Sequence, residues 1–208
     1  MRKLSLVLSL FALAVSASIA RAQTSNHEYS PLVEKTVNYK NWKLPNLVTQ
    51  VDEDLRKVIA GKKLVMIVYF APWCGNWKNE APLAAKLYEK YKAQGFQVIG
   101  VSEYAAAQDT FAYFGLKDPP YPVFVESESR EDKQKTPHYG YRQLTGDTRN
   151  WGSPWNIFLE PDKVSKDGEV LTEKAWVVNG ELIEEEVDKF IASKLGATSA
   201  AVIEPCKN

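Results

Sequence analysis

The sequence predicts an α/β domain with a mixed central sheet flanked by helices. Three observations carry this. "LVMIVYF" (64–70) and "FQVIGVSEY" (96–104) are continuous apolar, β-branched runs, as in strands buried on both faces. Between them lies "NWKNEAPLAAKLYEKYKAQ" (76–94), with Leu83, Leu87 and Tyr91 at four-residue spacing on one helical face. Toward the C-terminus, "PWNIFLEP" (154–161) and "EVLTEKAWVV" (169–178) flank the turn-like "DKVSKDG", as two hairpin strands would. Strands alternating with helices imply a parallel core, and the late hairpin adds antiparallel strands.

Taken in order, residues 23–45 are polar and loosely patterned and read as an N-terminal arm. "NLVTQ" (46–50) is expected to form a short strand. In "VDEDLRKVIAGKK", Asp52 or Asp54 sits near a helix start and Gly61 at its stop. The strand 64–70 leads into the helix 76–94, which Gly95 ends. After the strand 96–104 comes a short helix, "AAQDTFAYFGL" (106–116), closed by Gly115. "YPVFVES" (121–127) is a third strand, entered through Pro119 and Pro120. Residues 128–150 are highly charged and read as an exposed insertion with some helix. The last element is an amphipathic helix, "ELIEEEVDKFIASKLG", with Leu182, Val187, Phe190 and Ile191 inward. The domain is thus expected over 46–195, followed by a tail over 196–208.

The first 22 residues read as an export signal. "MRK" is followed by the apolar "LSLVLSLFALAVSASI", and Ala20 and Ala22 occupy the small-residue positions before a cleavage site. The apolar run is short for a membrane span, so no stable membrane anchor is expected after cleavage. The whole chain of 208 residues balances 26 basic against 26 acidic side chains. Removing residues 1–22 takes away Arg2, Lys3 and Arg21 and no acid, leaving 23 basic and 26 acidic groups, a net of −3. No basic excess is present to neutralise phosphates, which argues against a nucleic-acid partner. His27 and His138 are isolated and no Cys/His cluster has metal spacing, so neither a metal nor another cofactor is expected. Oligomeric state leaves no signature in the sequence.

Cys74 and Cys206 are the two cysteines. Cys74 follows a buried strand and begins a helix, where unpaired N–H groups and the helix dipole favour a thiolate. A buried structural cysteine is the alternative. The flanking "PW" and "GN" are turn-forming, exposing types, and favour the reactive reading.

"FAPWCGNWKNEAP" (70–82) resembles the active-site stretch of the thioredoxin-like superfamily, Phe-x-Ala-x-Trp-Cys-x-x-Cys. Glu80 and Pro82 match the Glu-x-Pro of its exported TlpA/ResA-type branch. "WGSPWNIFL" looks like the element carrying the proline, cis in that family, opposite the cysteine. The resemblance covers most of 46–195, with 128–150 longer than usual. It implies a thioredoxin fold, an extra N-terminal strand and helix, and thiol–disulfide exchange with a protein or small thiol/disulfide substrate. It also implies an exported location, a bacterial periplasm by preference, since "PCKN" is no ER-retention signal. Cys74 would be the nucleophile, with Trp73, Trp77, Ser153 and Pro154 contacting substrate. Glu80 and Lys78 read as ordinary helix-surface charges.

Two positions depart from the family. Trp77 stands where the resolving cysteine belongs, and the strand before the motif, "LVMIVYF", holds no acid. A lone Cys74 forms a mixed disulfide but needs a second thiol to release it. Three readings follow: Cys206 in "IEPCKN" resolves, an external thiol resolves a monothiol site, or the site is degenerate. In the last case the protein is a binding domain using a groove around Trp73, Trp77, Trp151 and Trp155. A peroxidase would need Ser or Thr at the position of Ala71.

Overall fold

The computed structural model describes residues 27–196, so the expected signal at 1–22 and Cys206 with its tail lie outside the described residues. Instead of an arm, the chain enters through strands β1 (Tyr29–Ser30) and β2 (Val33–Lys40). In β2, Val37 and Tyr39 are buried while Thr36, Asn38 and Lys40 are exposed, a period-two pattern half hidden by charge. Strands β3 (Lys43–Pro45) and β4 (Asp52–Asp54) form a small antiparallel ribbon. The strand expected at 46–50 is a turn between them. Its cause is Asn46, whose side-chain oxygen accepts from the N–H groups of Val48 (2.9 Å) and Thr49 (3.2 Å). Helix α1 (Leu55–Val58) is capped by Asp54, which accepts from the Arg56 N–H at 3.0 Å.

Next come β5 (Leu64–Phe70), α2 (Gly75–Tyr91), β6 (Phe96–Ser102), α3 (Ala107–Tyr113) and β7 (Val123–Val125). A single 3-10 turn after α2 ends at Gly95, whose φ of +100° suits glycine. The chain finishes with α4 (Pro137–Thr145), β8 (Trp155–Leu159), β9 (Val170–Val178), β10 (Glu181–Leu182) and α5 (Glu184–Leu195). The main sheet runs β2-β9-β8-β5-β6-β7. β5, β6 and β7 are parallel, whereas β8, β9 and β2 add antiparallel pairs, so the sheet is mixed as predicted.

Alternation along β5 divides the core in two. Leu64, Met66, Val68 and Phe70 face one layer, with Trp77, Leu87 and Tyr91 of α2 and Val187 and Ile191 of α5. Val65, Ile67 and Tyr69 face the other, with Tyr39, Tyr141 of α4 and Trp155. Burying each such side chain fully contributes about 1.5–3 kcal/mol, which outweighs any helix propensity. The inward stripe of α2 is Trp77, Glu80, Ala84, Leu87 and Tyr91; the expected Leu83 is only half-buried.

The charged segment 128–150 is not simply an exposed insertion. After a 3-10 turn (Arg130–Lys135), α4 buries His138, Tyr141, Arg142 and Thr145. Two of the segment's charges, Arg142 and Asp147, are buried because they pair with each other, while Glu128, Arg130, Glu131 and Lys135 stay exposed.

Candidate functional site

Cys74 lies one turn beyond the C-terminal end of β5, a position where α/β sheets commonly place ligands. It is the N-cap of α2, with extended backbone (φ −75°, ψ 130°). Its N–H donates to the Ala71 carbonyl (2.9 Å), and its own carbonyl accepts from the Lys78 N–H (3.1 Å). The half-buried thiol donates to the Ser153 carbonyl, Sγ to oxygen 3.2 Å. Ser153 also accepts, through Oγ, the Ala71 N–H at 2.9 Å. One buried residue thus holds both ends of the turn that presents Cys74. The Ser153–Pro154 peptide bond is cis.

Of the residues expected in the site, the structure brings together Cys74, its neighbour Trp73, Ser153 and Pro154. Trp73 donates its indole N–H to the Tyr104 carbonyl (3.1 Å) and packs edge-to-face on Trp151 at 5.2 Å. Trp77 is a correction. It is fully buried, stacked on Phe70 at 4.4 Å and near Tyr113 at 6.3 Å, so it fills the core under α2 and offers nothing to a substrate. Trp155 is likewise fully buried, so the groove reduces to Trp73 and Trp151.

The loop carrying Ser153 and Pro154 is held by ions. Arg142 Nε donates to Asp147 at 3.1 Å, and Arg149 donates to both Asp147 oxygens at 3.0 and 2.8 Å. Arg149 then reaches the Pro154 carbonyl at 2.7 Å, and Arg142 reaches the Arg149 carbonyl. Burial pushes the Asp147 carboxyl up, but Arg149 and then Arg142 outweigh it and hold the group below the usual range. Gly152 is required here: its φ is +59°, and a Cβ would run into the Arg142 side chain.

Glu80 is another correction, since it is 3% exposed and no surface charge. One oxygen accepts from the Leu182 N–H (2.7 Å) and from Asn156 Nδ2 (3.3 Å), tying α2 to β8 and β10. Burial pushes its carboxyl up to about 8 despite those hydrogen bonds, with the Glu181 charge adding to the rise. The missed signal was spacing: Glu80 lies on the stripe of Trp77, Ala84, Leu87 and Tyr91.

Behind the Trp73 shelf lies a second buried group that sequence reading missed. Tyr104 shares a hydrogen bond with His138 Nδ1 (3.1 Å), and His138 stacks on Tyr69 at 4.8 Å. His138 donates its backbone N–H to Glu126 (3.2 Å), and Glu103 lies 4.0 Å from its ring. Burial, reinforced by mutual repulsion, pushes Glu103 well up, and burial also raises Glu126. Burial and then the arginine charges push His138 well down, so it is neutral.

Among the described residues no cluster of His, Cys, Asp and Glu is placed to hold a metal, and no helix is long and apolar enough to cross a membrane.

A thioredoxin-fold protein presenting one motif cysteine at a helix start is what this geometry defines. The thioredoxin family profile matches residues 46–139. Over those residues, somewhat under half of its length, the chain is similar to the thioredoxin family. It is 32% identical over 95 residues to the Caenorhabditis elegans "Probable protein disulfide-isomerase A4", covering 44% of this chain and 15% of that one. A second likeness, 29% over 140 residues, is to the Arabidopsis thaliana "Probable phospholipid hydroperoxide glutathione peroxidase 6, mitochondrial", covering 62% and 58%. The chain therefore spans less than two thirds of these curated relatives. A secreted Mycobacterium tuberculosis disulfide oxidoreductase homologous to E. coli DsbE shares the fold. There the TM-score is 0.50 at 13% identity, over 73% of this chain and 95% of that one.

Proposed function

We propose that this chain is an exported thioredoxin-fold protein that exchanges thiols and disulfides through Cys74. The observation that carries the reading is the half-buried Cys74 thiol at the N-cap of α2, 3.2 Å from the Ser153 carbonyl beside Pro154. The thiolate form of Cys74 is the nucleophile, as for any thiol in this exchange. It attacks one sulfur of a substrate disulfide, forms a Cys74–substrate disulfide and expels the other sulfur as a thiolate. A second thiolate then attacks Cys74 Sγ and releases the substrate in reduced form, with both electrons supplied by the two attacking thiols. Cys206 is our candidate for that second thiol. An external thiol is the substitute if the tail does not reach. Trp73, Ser153 and Pro154 form the surface that a bound peptide meets. Export rests on residues 1–22, and the secreted relative agrees with it.

The burial of Trp77 favours one second reading, a binding domain whose chemistry has been lost, because an indole fills the resolving position. Thiol titration and intact mass before and after reductant separate the two, in wild type and in Cys206→Ser. A Cys74–Cys206 bond in the wild type, or a mixed disulfide trapped in Cys206→Ser, is expected. A Cys74 that resists disulfide reagents in the native state sinks the exchange reading.

A further inference from the structure

The segment that is longer than the family's usual length places two cations directly against the site. The Arg130 guanidinium lies 4.0 Å from the Trp73 ring and 5.8 Å from Trp151. Lys133 Nζ lies 4.8 Å from the Trp151 ring and donates to the carbonyl and side-chain oxygen of Asn150, at 3.2 and 3.0 Å. Tyr104 completes the shelf, 5.4 Å from Trp151. The rings are immobilised by the Trp73–Tyr104 hydrogen bond, so the cations stand on a fixed surface one residue from Cys74.

Neither cation pairs with a carboxylate among the described residues. The neighbouring acids are mostly occupied elsewhere. Glu128 accepts from the Ala107 N–H (3.1 Å), Asp132 pairs with Lys135 (2.8 Å), and Asp147 holds Arg142 and Arg149. Glu28 pairs with Arg149 (3.3 Å), and Glu126 accepts from His138. Glu131, exposed on the same turn, is the remaining acid. A guanidinium lying on an indole uses its face and leaves its edge N–H donors for a carboxylate. Lys133 keeps a third donor. The chain as a whole has no basic excess, so this positive charge is local.

Resting on the exchange reading above, we propose that the Trp73–Trp151 shelf with Arg130 and Lys133 docks acidic peptide segments. Its partner is a protein whose reactive cysteine is flanked by Asp or Glu. A peptide sulfur at Cys74 sets its neighbouring side chains over the shelf, since successive residues of an extended strand advance by about 3.3 Å.

Two peptides of equal length test this, one with Asp and Glu flanking a central cysteine and one with Lys there, each activated as a 2-pyridyl disulfide. In the purified Cys206→Ser chain, Cys74 bonds to the peptide sulfur and is oxidised. The peptide–pyridyl S–S bond breaks, and the pyridyl sulfur is reduced and leaves as pyridine-2-thione carrying the thiol proton. Its absorbance gives the rate. The acidic peptide is expected to react about tenfold faster at low ionic strength. That ratio should shrink toward one as salt approaches about 1 M, where the Debye length is ~3 Å. Arg130→Glu with Lys133→Glu should abolish or invert it, whereas Lys166→Gln, on a remote turn, should leave it. A ratio within about twofold of one in the Cys206→Ser chain overturns the docking surface, as does a ratio that neither salt nor the double variant moves. The uncharged probe 2,2′-dithiodipyridine reports separately on the site: if Cys74 does not react with it, the exchange reading fails instead.

Discussion

On the α2 side of Cys74 the structure is held by apolar packing, and on the Ser153–Pro154 side by buried ions. Under α2, Trp77 stacks on Phe70 and the stripe continues through Ala84, Leu87 and Tyr91 into the core. Opposite, Arg142, Asp147 and Arg149 lock the chain between α4 and β8 and hold the Pro154 carbonyl. Apolar packing is non-directional and tolerates partial loss, whereas a buried ion pair is all or nothing. The thiol is therefore presented by a tolerant wall, and the carbonyl it meets by a brittle one.

The sharpest way to break this comparison is Asp147→Ala, which leaves the fully buried Arg142 without its charge partner. A loss of about 3–5 kcal/mol in unfolding free energy is expected from urea titration. Replacing Arg142 and Asp147 together with Met and Leu should lose less than Asp147→Ala alone. If it loses more, the ions do not dominate that wall. On the other side, Trp77→Cys recreates the two-cysteine motif but removes a core indole, and about 3 kcal/mol should be lost. Its stability should respond less than that of Asp147→Ala, and thiol titration should show whether the new cysteine pairs with Cys74.

The smallest effect probes Glu80, the carboxyl that α2 buries in the apolar wall. Folded Glu80 keeps its proton up to about pH 8, while the unfolded chain releases it above the ordinary value of 4.5. The folded state therefore binds the additional proton inside that window, and Glu80 withdraws stability as pH rises through it. Glu80→Gln should make the decline between pH 5 and 8 shallower by on the order of 2 kcal/mol. Glu103 and Glu126 contribute the same sign in both chains and cancel from the difference. Parallel declines in the two proteins would show that Glu80 ionises in the folded chain at its ordinary pH.

How far the sequence can be read follows from the same contrast. β5 matched its expected limits, Leu64–Phe70, and Gly95 ended the α2 region, because a continuous apolar run and a glycine stop are local signals. Cys74 at a helix start and the chain order of Ser153 and Pro154 were likewise legible. β2 was misread because its outward residues are polar or charged and its partner, β9, lies more than a hundred residues on. The segment 128–150 was misread because charge was taken as exposure, when Arg142 and Asp147 neutralise each other inside.

What belongs to the chain's local pattern is thus the α/β class, the mixed sheet and a cysteine at a strand-to-helix turn. These depend on periodicity and on turn residues close in sequence. Which tryptophans line the site, which carboxylates are buried and what holds the loop opposite Cys74 were settled by packing between distant segments. Trp73 and Trp77 differ by one helical turn, and only the packed neighbours distinguish them: Phe70 stacks under one, while the other rests against Tyr104 and Trp151. The energy of a buried charge or indole is fixed by partners that the linear sequence does not place beside it.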